Sequence, residues 1–316
     1  MRKILALAAG LLALTVCSAF AEDTNGADMT APPAAGEENA PVVLAGTLKK
    51  VHESGAIAIG YREASFPFSY AAKESPNPLG YSVDLCQGVV DEIVRELNGS
   101  PIRIDYQLVT SDTRMEAVVS GKVDLECGST TGNIERQKSV AFSPVMFVAG
   151  TKLMVKKNSG INSYKDLAGK ILVVTSGTTN ETAMKLLNEK YKLDITIVSA
   201  RDHEESYNLL ADGKADAFAT DDVLLYGFIA RKKAEATMAV VGDFITYEAY
   251  GLMFRKDDPQ MAVAVAQAFA VMARTGGLVA NYHKWFLQRT PTGELIDLPI
   301  SLQLTEAWRA LGVDDF

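Results

Sequence analysis

The sequence predicts an α/β protein of two lobes, each a mostly parallel sheet with flanking helices, joined by two crossing strands. Three observations carry this. Strand-like and helix-like segments alternate from Ile57 onwards, the pattern of parallel strands linked by crossover helices. The alternation restarts beyond residue 160, so it comes in two blocks. The blocks also echo one another: VVSGKVDLECGSTT and LLADGKADAFATDD share a helix end, Gly-Lys, a small residue, Asp, and a strand running into polar residues.

In the first block AIAIGYRE reads as a strand, DLCQGVVDEIVRELN as an amphipathic helix and IRIDYQLVT as a strand. TRMEAVVSG is a short helix stopping near Gly121, and VDLECGS is the next strand. In the second, SYKDLAGK is a capped helical turn, followed by the strand ILVVTSG, the helix NETAMKLLNEKYK and the strand DITIVSA. Helix HEESYNLLADGK, strand ADAFATD and helix DVLLYGFIARKKA complete it. Gly121 and Gly213 supply left-handed helix stops. The echo sets Ser129 to Thr131 and Thr220 to Asp222 at the C-terminal ends of equivalent strands, where ligands bind in open α/β sheets. Two such ends facing each other make a cleft.

FVAGTKLMV (147–155) and EAYGLMF (248–254) flank the second block, and each is extended and contains a glycine. They are the candidates for crossing strands, which puts residues 45–148 and 254–316 in lobe 1 and 149–253 in lobe 2. Helical patterns follow in PQMAVAVAQAFAVMARTG, LVANYHKWFLQ and SLQLTEAWRALG.

Residues 1–21 read as a secretory signal peptide: Arg2 and Lys3, a thirteen-residue apolar run, then small residues before a cut after Ala21. The run is shorter than the ~20 residues a membrane span needs. A lipid anchor at Cys17 is the alternative, although Val16 is bulky for such a site. Residues 22–44 form an acidic, Ala/Pro-rich lead-in of disordered composition. The formal net charge of −8 becomes −10 when the leader takes two positive charges with it. So acidic a chain argues against nucleic acid or anionic membrane as partner.

Two cysteines remain beyond the leader, Cys86 and Cys127. In an oxidising compartment they form a disulfide; otherwise they are two small buried apolar residues. Neither has a second Cys or a His at metal-ligand spacing, so no zinc site is expected.

DLECGSTTGNIERQK (124–138) gathers hydroxyls and an arginine. A helix starting near Asn133 presents free N–H groups and a positive dipole end. Ser129 and Thr131 add donors, and Arg136 adds a fork matched to a carboxylate. This makes an anion site, or else a plain capped helix with a solvent-facing arginine. VVTSGTTNETAMKLL repeats the device with Ser176, Thr178, Thr179 and Thr182, where a capping box looks similar.

GYREASFPFSY, GYSVDLC, LECGSTTGNIERQKSVAFS, VVTSGTTNE, SARDHEESY, DAFATDDVLL and EAYGLMFRKDD, in unbroken order from about Leu48 to Phe286, resemble the glutamate/aspartate-binding proteins of bacterial ABC importers. These lie within the family 3 extracellular solute-binding proteins. The resemblance implies a two-lobed type II periplasmic-binding-protein fold and a monomeric periplasmic receptor without cofactor. Such a receptor holds L-glutamate or L-aspartate in the cleft and delivers it to an inner-membrane ABC permease.

By matching position, Ser129, Thr131 and Arg136 resemble the α-carboxylate clamp, and Asp221 the acceptor of the α-ammonium. Thr179 and Thr182 add hydrogen bonds from lobe 2. Arg62, Ser111, Arg114 and His203 resemble the group around the side-chain carboxylate. Three arginines against one aspartate leave a surplus of two positive charges, suited to a dicarboxylate. Tyr61 and Gly132 depart from the pattern and leave glutamate and aspartate unranked.

Each residue has a plainer reading. Arg62 braces Glu63, Arg114 is a helix-surface charge, His203 caps its helix with Asp202, and Asp222 replaces its neighbour Asp221. Phe66, Phe68, Tyr70 and Tyr81 read as packing. The rival functions are a receptor for another amino acid such as glutamine, and a dehydratase-like enzyme with Glu181 or Glu126 as acid or base. The expectation is a binding protein and not an enzyme.

Overall fold

The computed structural model describes residues 43–316 except Glu74 and Asp315. The expected signal peptide with its cut after Ala21, the alternative anchor at Cys17, and the lead-in through residue 42 lie outside the described residues. No single helix among the described residues is long and apolar enough to cross a membrane.

In chain order the elements of the first half are α1 (Gly46–Ser54), β1 (Ala56–Tyr61), β2 (Ala64–Ser65), β3 (Ser69–Tyr70), α2 (Tyr81–Glu96), β4 (Arg103–Leu108), α3 (Arg114–Val119), β5 (Leu125–Glu126), β6 (Val140–Phe142), β7 (Phe147–Ala149) and β8 (Thr151–Lys156). There follow β9 (Ile171–Thr175), α4 (Thr179–Tyr191), β10 (Thr196–Ala200), α5 (His203–Ala211), β11 (Ala217–Asp221), α6 (Asp222–Lys232), β12 (Met238–Val241), β13 (Glu248–Tyr250), β14 (Met253–Arg255), α7 (Pro259–Arg274), α8 (Gly277–Tyr282) and α9 (Leu302–Arg309).

The first sheet runs β4-β1-β5-β14-β6 and the second β10-β9-β11-β8-β12. In each, three strands are parallel, as the alternation predicts. The other two join antiparallel, and they flank the passages between blocks. The echo is real in the backbone: Gly121 and Gly213 take φ of 74° and 77°. Only glycine enters that region without strain.

Side chains in the second sheet alternate faces, as a pleated strand requires. Leu172 and Val174 pack with Leu153, Val155 and Met184 on one side. Val173 packs with Phe218, Tyr207 and Phe228 on the other. Helices therefore cover both faces of this sheet, the condition for near-continuous apolar strands. The larger core of the first lobe centres on aromatic rings, with Phe68 centroids 5.0 Å from Phe147 and 5.1 Å from Tyr250. Phe66, Phe68, Tyr70 and Tyr81 are all buried in it.

The two glycine-containing extended segments meet as a separate antiparallel pair, β7 with β13, in the register Glu248↔Ala149, Ala249↔Val148 and Tyr250↔Phe147. This is the hinge. The chain leaves it through Gly150, where a methyl group would lie 2.5 Å from both Phe244 Cδ1 and Thr246 O.

One element departs from expectation. No helix starts near Asn133; a turn leads to a single 3₁₀ turn, Arg136–Lys138. The Asn133 side chain accepts from Arg136 N at 2.9 Å, a local closure that competes with helix growth. The chain must also straighten by Val140 to pair with β14. Ser129 to Thr131 consequently have no helix dipole behind them.

Cys86 on α2 is disulfide-bonded to Cys127 just past β5, closing a separation of 41 residues. Replacing both cysteines by alanine is expected to cost about 4 kcal/mol through loop-closure entropy. Denaturant midpoints of the wild type and the double variant check this, and coincident unfolding curves count against it.

Candidate functional site

The C-terminal ends of β1, β5 and β11 converge with the N-terminal ends of α3, α4 and α5 on a small polar cavity. The first lobe lines it with Arg62, Arg114, Ser129 and Thr131; the second contributes Thr178, Thr179, Asn180, His203, Asp221 and Leu224. Arg62 follows β1, and Arg114 opens α3. Both are only 2% exposed.

The arginines are held but not saturated. Arg62 Nη2 donates to Ser111 Oγ at 2.8 Å, while its Nη1 has no partner. Arg114 Nη1 donates to Thr130 Oγ1 at 2.6 Å, while its Nε has none. Ser129 Oγ is likewise buried and unpartnered. Each such group costs free energy unless a polar partner meets it. Among the described residues neither arginine has a carboxylate within ion-pair distance, so both cations remain available.

Electrostatics follow from burial. Burial, then repulsion from Arg114, lowers Arg62 to about 9. Burial also lowers Arg114, opposed by attraction to Glu126. His203, whose Nδ1 lies 2.7 Å from Thr175 Oγ1, is held well below its usual value by burial and then by Arg62 and Arg114. It is neutral at pH 7 and adds no charge.

Across the cavity Asp221 ends β11. Its Oδ1 accepts from Asn180 Nδ2 at 2.7 Å, and its Oδ2 accepts from the Tyr250 hydroxyl. Burial, then the neighbouring Glu248 carboxylate, raises its pKa from the carboxylate range to about 7. Asp222 turns to the opposite face, its Oδ1 accepting from Gly150 N at 3.2 Å beside the hinge. Asp221, the last residue of β11, therefore lines the cavity, whereas Asp222 opens α6 and turns away from it.

Of the ten residues singled out from the sequence, seven line the cavity: Arg62, Arg114, Ser129, Thr131, Thr179, His203 and Asp221. Ser111 stands behind Arg62. Arg136 is at the rim, its Nη1 donating to Thr131 O at 2.9 Å and its Nη2 to Gly177 O at 3.3 Å, across the two lobes. The Thr179 hydroxyl donates to Glu248 Oε2 at 2.8 Å rather than standing free. Thr182 is exposed and does not line the cavity. The buried face of α4 is carried by Asn180 and Met184, four apart, and Thr182 lies two positions from each, on the other side.

The surplus of two positive charges also needs correction. Glu126 and Glu248 are buried in the same region, at 0% and 3% exposure, and cancel part of it. Thr178, picked out in the second hydroxyl cluster, lines the cavity, whereas sequence reading missed Asn180, Leu224, Glu248 and Tyr250. Asn180 adjoins a hydroxyl cluster already picked out, but nothing local marks the others.

The lobes touch around the cavity. Ser176 Oγ donates to Asp112 Oδ1 at 3.1 Å. Gly177, at φ 71°, is so close to the opposite lobe that a methyl group there would stand 2.4 Å from Asp112 Oδ1 and 2.9 Å from the Asp112 nitrogen.

Two lobes on a strand-pair hinge with a polar cavity between them form the type II periplasmic-binding-protein fold. An ancestral arginine-binding protein bound to arginine matches it with a TM-score of 0.66 at 27% identity, covering 73% of this chain and 98% of that one. So does an ancestral amino acid-binding protein, a precursor of cyclohexadienyl dehydratase, with a TM-score of 0.66 at 27% identity over 76% of this chain and 99% of that one.

Residues 57–288 match the family model of bacterial extracellular solute-binding proteins, family 3, and the chain belongs to that family. An L-glutamate/L-aspartate-binding protein of Pseudomonas aeruginosa is 44% identical over 270 residues, 84% of this chain and 89% of the relative. A glutamate/aspartate import solute-binding protein of Escherichia coli K12 is 37% identical over 304 residues, 96% and 95% of the two chains. These relatives carry names of transport binding proteins, not enzymes.

Proposed function

We propose that the protein captures L-glutamate or L-aspartate between its lobes and delivers it to the membrane permease of an ABC importer. The observation that carries this reading is the pair of buried arginines, Arg62 and Arg114, which line the cavity, each with an unpartnered nitrogen and, among the described residues, no carboxylate in ion-pair contact. The names of its relatives support it. Arg62, Arg114 and His203, with Ser111 behind Arg62, receive the side-chain carboxylate. Ser129, Thr131 and the rim residue Arg136 receive the α-carboxylate, and Asp221 the ammonium. Residues 45–148 with 254–316 and residues 149–253 move as two bodies about the hinge, and ligand contacts to both favour the closed form. The protein acts as a monomer in the periplasm after removal of residues 1–21.

A thermal-shift screen of the twenty amino acids tests the reading. Stabilisation by glutamate or aspartate well above that by glutamine is expected; equal shifts with all twenty count against it.

Asp221 gives the binding a pH dependence. Its proton is held up to about 7 in the free protein, and a facing ammonium favours the carboxylate. Binding below that value must expel the proton. Affinity therefore rises as pH climbs from near 4 towards about 7, by up to ~10-fold per unit, then levels. For the free protein the sign is opposite: a raised carboxyl gives stability that is fully present below its unfolded value and is lost as pH rises through about 7. Calorimetry at pH 5.5 and 8 in buffers of different ionisation heat reads the expelled proton. A proton release that is the same at both pH values would remove Asp221 from ammonium binding.

A further inference from the structure

Glu126 is a carboxylate that the proposed function leaves unused. It ends β5, is 0% exposed, and its attraction reaches both cavity arginines. Its Oε2 accepts from Thr130 Oγ1 at 2.6 Å, and the same Thr130 oxygen accepts from Arg114 Nη1 at 2.6 Å. Its Oε1 has no partner. A methyl group on Gly128 would stand 2.3 Å from that oxygen and 2.9 Å from Arg62 Cγ, so the carboxylate and the Arg62 stem flank one glycine.

The arrangement is unusual for a buried carboxylate beside buried arginines. Contact ion pairs are the ordinary solution, since removing charge from water costs several kcal/mol per ion and close pairing offsets most of it. Here no such pair forms among the described residues; a hydroxyl is interposed instead. Direct pairing would draw the guanidinium groups onto Glu126. A carboxylate one hydroxyl away still lowers the electrostatic cost of the two cations, because the Coulomb term falls only inversely with distance in a poorly screened site. It leaves their donors free.

We propose that Glu126, held off by Thr130, is a positioning residue that sets the positive charge the cavity presents, and so determines how strongly the site prefers a dicarboxylic amino acid over its neutral amide. The Thr130 hydroxyl fixes Arg114 in a ligand-facing pose and keeps it from collapsing onto Glu126. The inference rests on the acidic-ligand reading above.

The two partners should then act in opposite directions. Glu126→Gln keeps the shape and the acceptor for Thr130 but removes one negative charge. The ratio of L-glutamate to L-glutamine affinity rises on the order of 10-fold or more, while the unliganded protein melts at a lower temperature. Thr130→Val removes the spacer, Arg114 pairs with Glu126, and the same ratio falls on the order of 10-fold or more. Thr130→Ser restores it.

Calorimetric titration of the wild type and the three variants with both ligands is the test. Opposite shifts with rescue by serine support the proposal. Ratios unchanged in both Glu126→Gln and Thr130→Val, or falling in both, overturn it. Should Glu126→Gln fail to fold, the threonine pair decides alone: loss in valine with no rescue by serine, or no loss, refutes the spacer. Wild-type protein that binds neither acidic amino acid overturns this inference together with the proposed ligand. Wild-type binding with unshifted ratios overturns this inference only.

Discussion

Replacement of Arg114 by methionine is expected to weaken L-glutamate binding at least ~100-fold, because a buried carboxylate deprived of its cation costs ~3–5 kcal/mol. The argument begins at the side chain. Arg114 opens α3 at 2% exposure, and its guanidinium is anchored on one edge by Thr130, leaving Nε unpartnered in the cavity wall. Methionine retains the apolar stem, so loss of packing is kept small. The free protein is spared the burial of a cation that burial already disfavours. The loss should be much smaller for L-glutamine, which has no second carboxylate. Calorimetry with both ligands measures it, and equal losses would take Arg114 out of side-chain recognition.

The second large effect concerns closure. Gly177→Ala places a methyl group 2.4 Å from Asp112 Oδ1 and 2.9 Å from the Ser111 carbonyl carbon, contacts that exist only because the lobes abut. Its φ of 71° adds strain in every state of the molecule. The two penalties separate in experiment. The strain lowers unfolding stability with or without ligand by about 1–2 kcal/mol. Overpacking at the contact costs about 1–3 kcal/mol in the closed form alone, weakening ligand binding roughly 5- to 150-fold. Small-angle scattering of the ligand-saturated variant should show a larger radius of gyration than the wild type. Identical radii and identical affinities would mean that the lobes do not meet there during binding.

Much of the frame could be read from the chain because its signals are local. The glycines at 121 and 213 mark helix ends, and the two glycine-bearing extended segments pair at the hinge. The helix expected at Asn133 failed because an Asx closure and an obligation to reach the sheet edge intervened, and pairing with β14 is set by residues more than a hundred positions away. Thr182 lies off the cavity for a geometric reason: Asn180 and Met184 carry the buried face of α4, and the sequence alone does not say which face of that helix packs inward. Glu126 and Glu248 could not be weighed as charges of the site, since nothing in their neighbouring residues shows that strands from different parts of the chain bring them near the arginines.

Tyr250 belongs to β13, its backbone bridges Thr131, and its hydroxyl holds Asp221. The piece that bends is therefore also a piece that grips, linked to a lining residue of each lobe. Any drift in sequence at this position would retune swing and selectivity together, so new guests are more readily accommodated by changes at the cavity wall than at the axle.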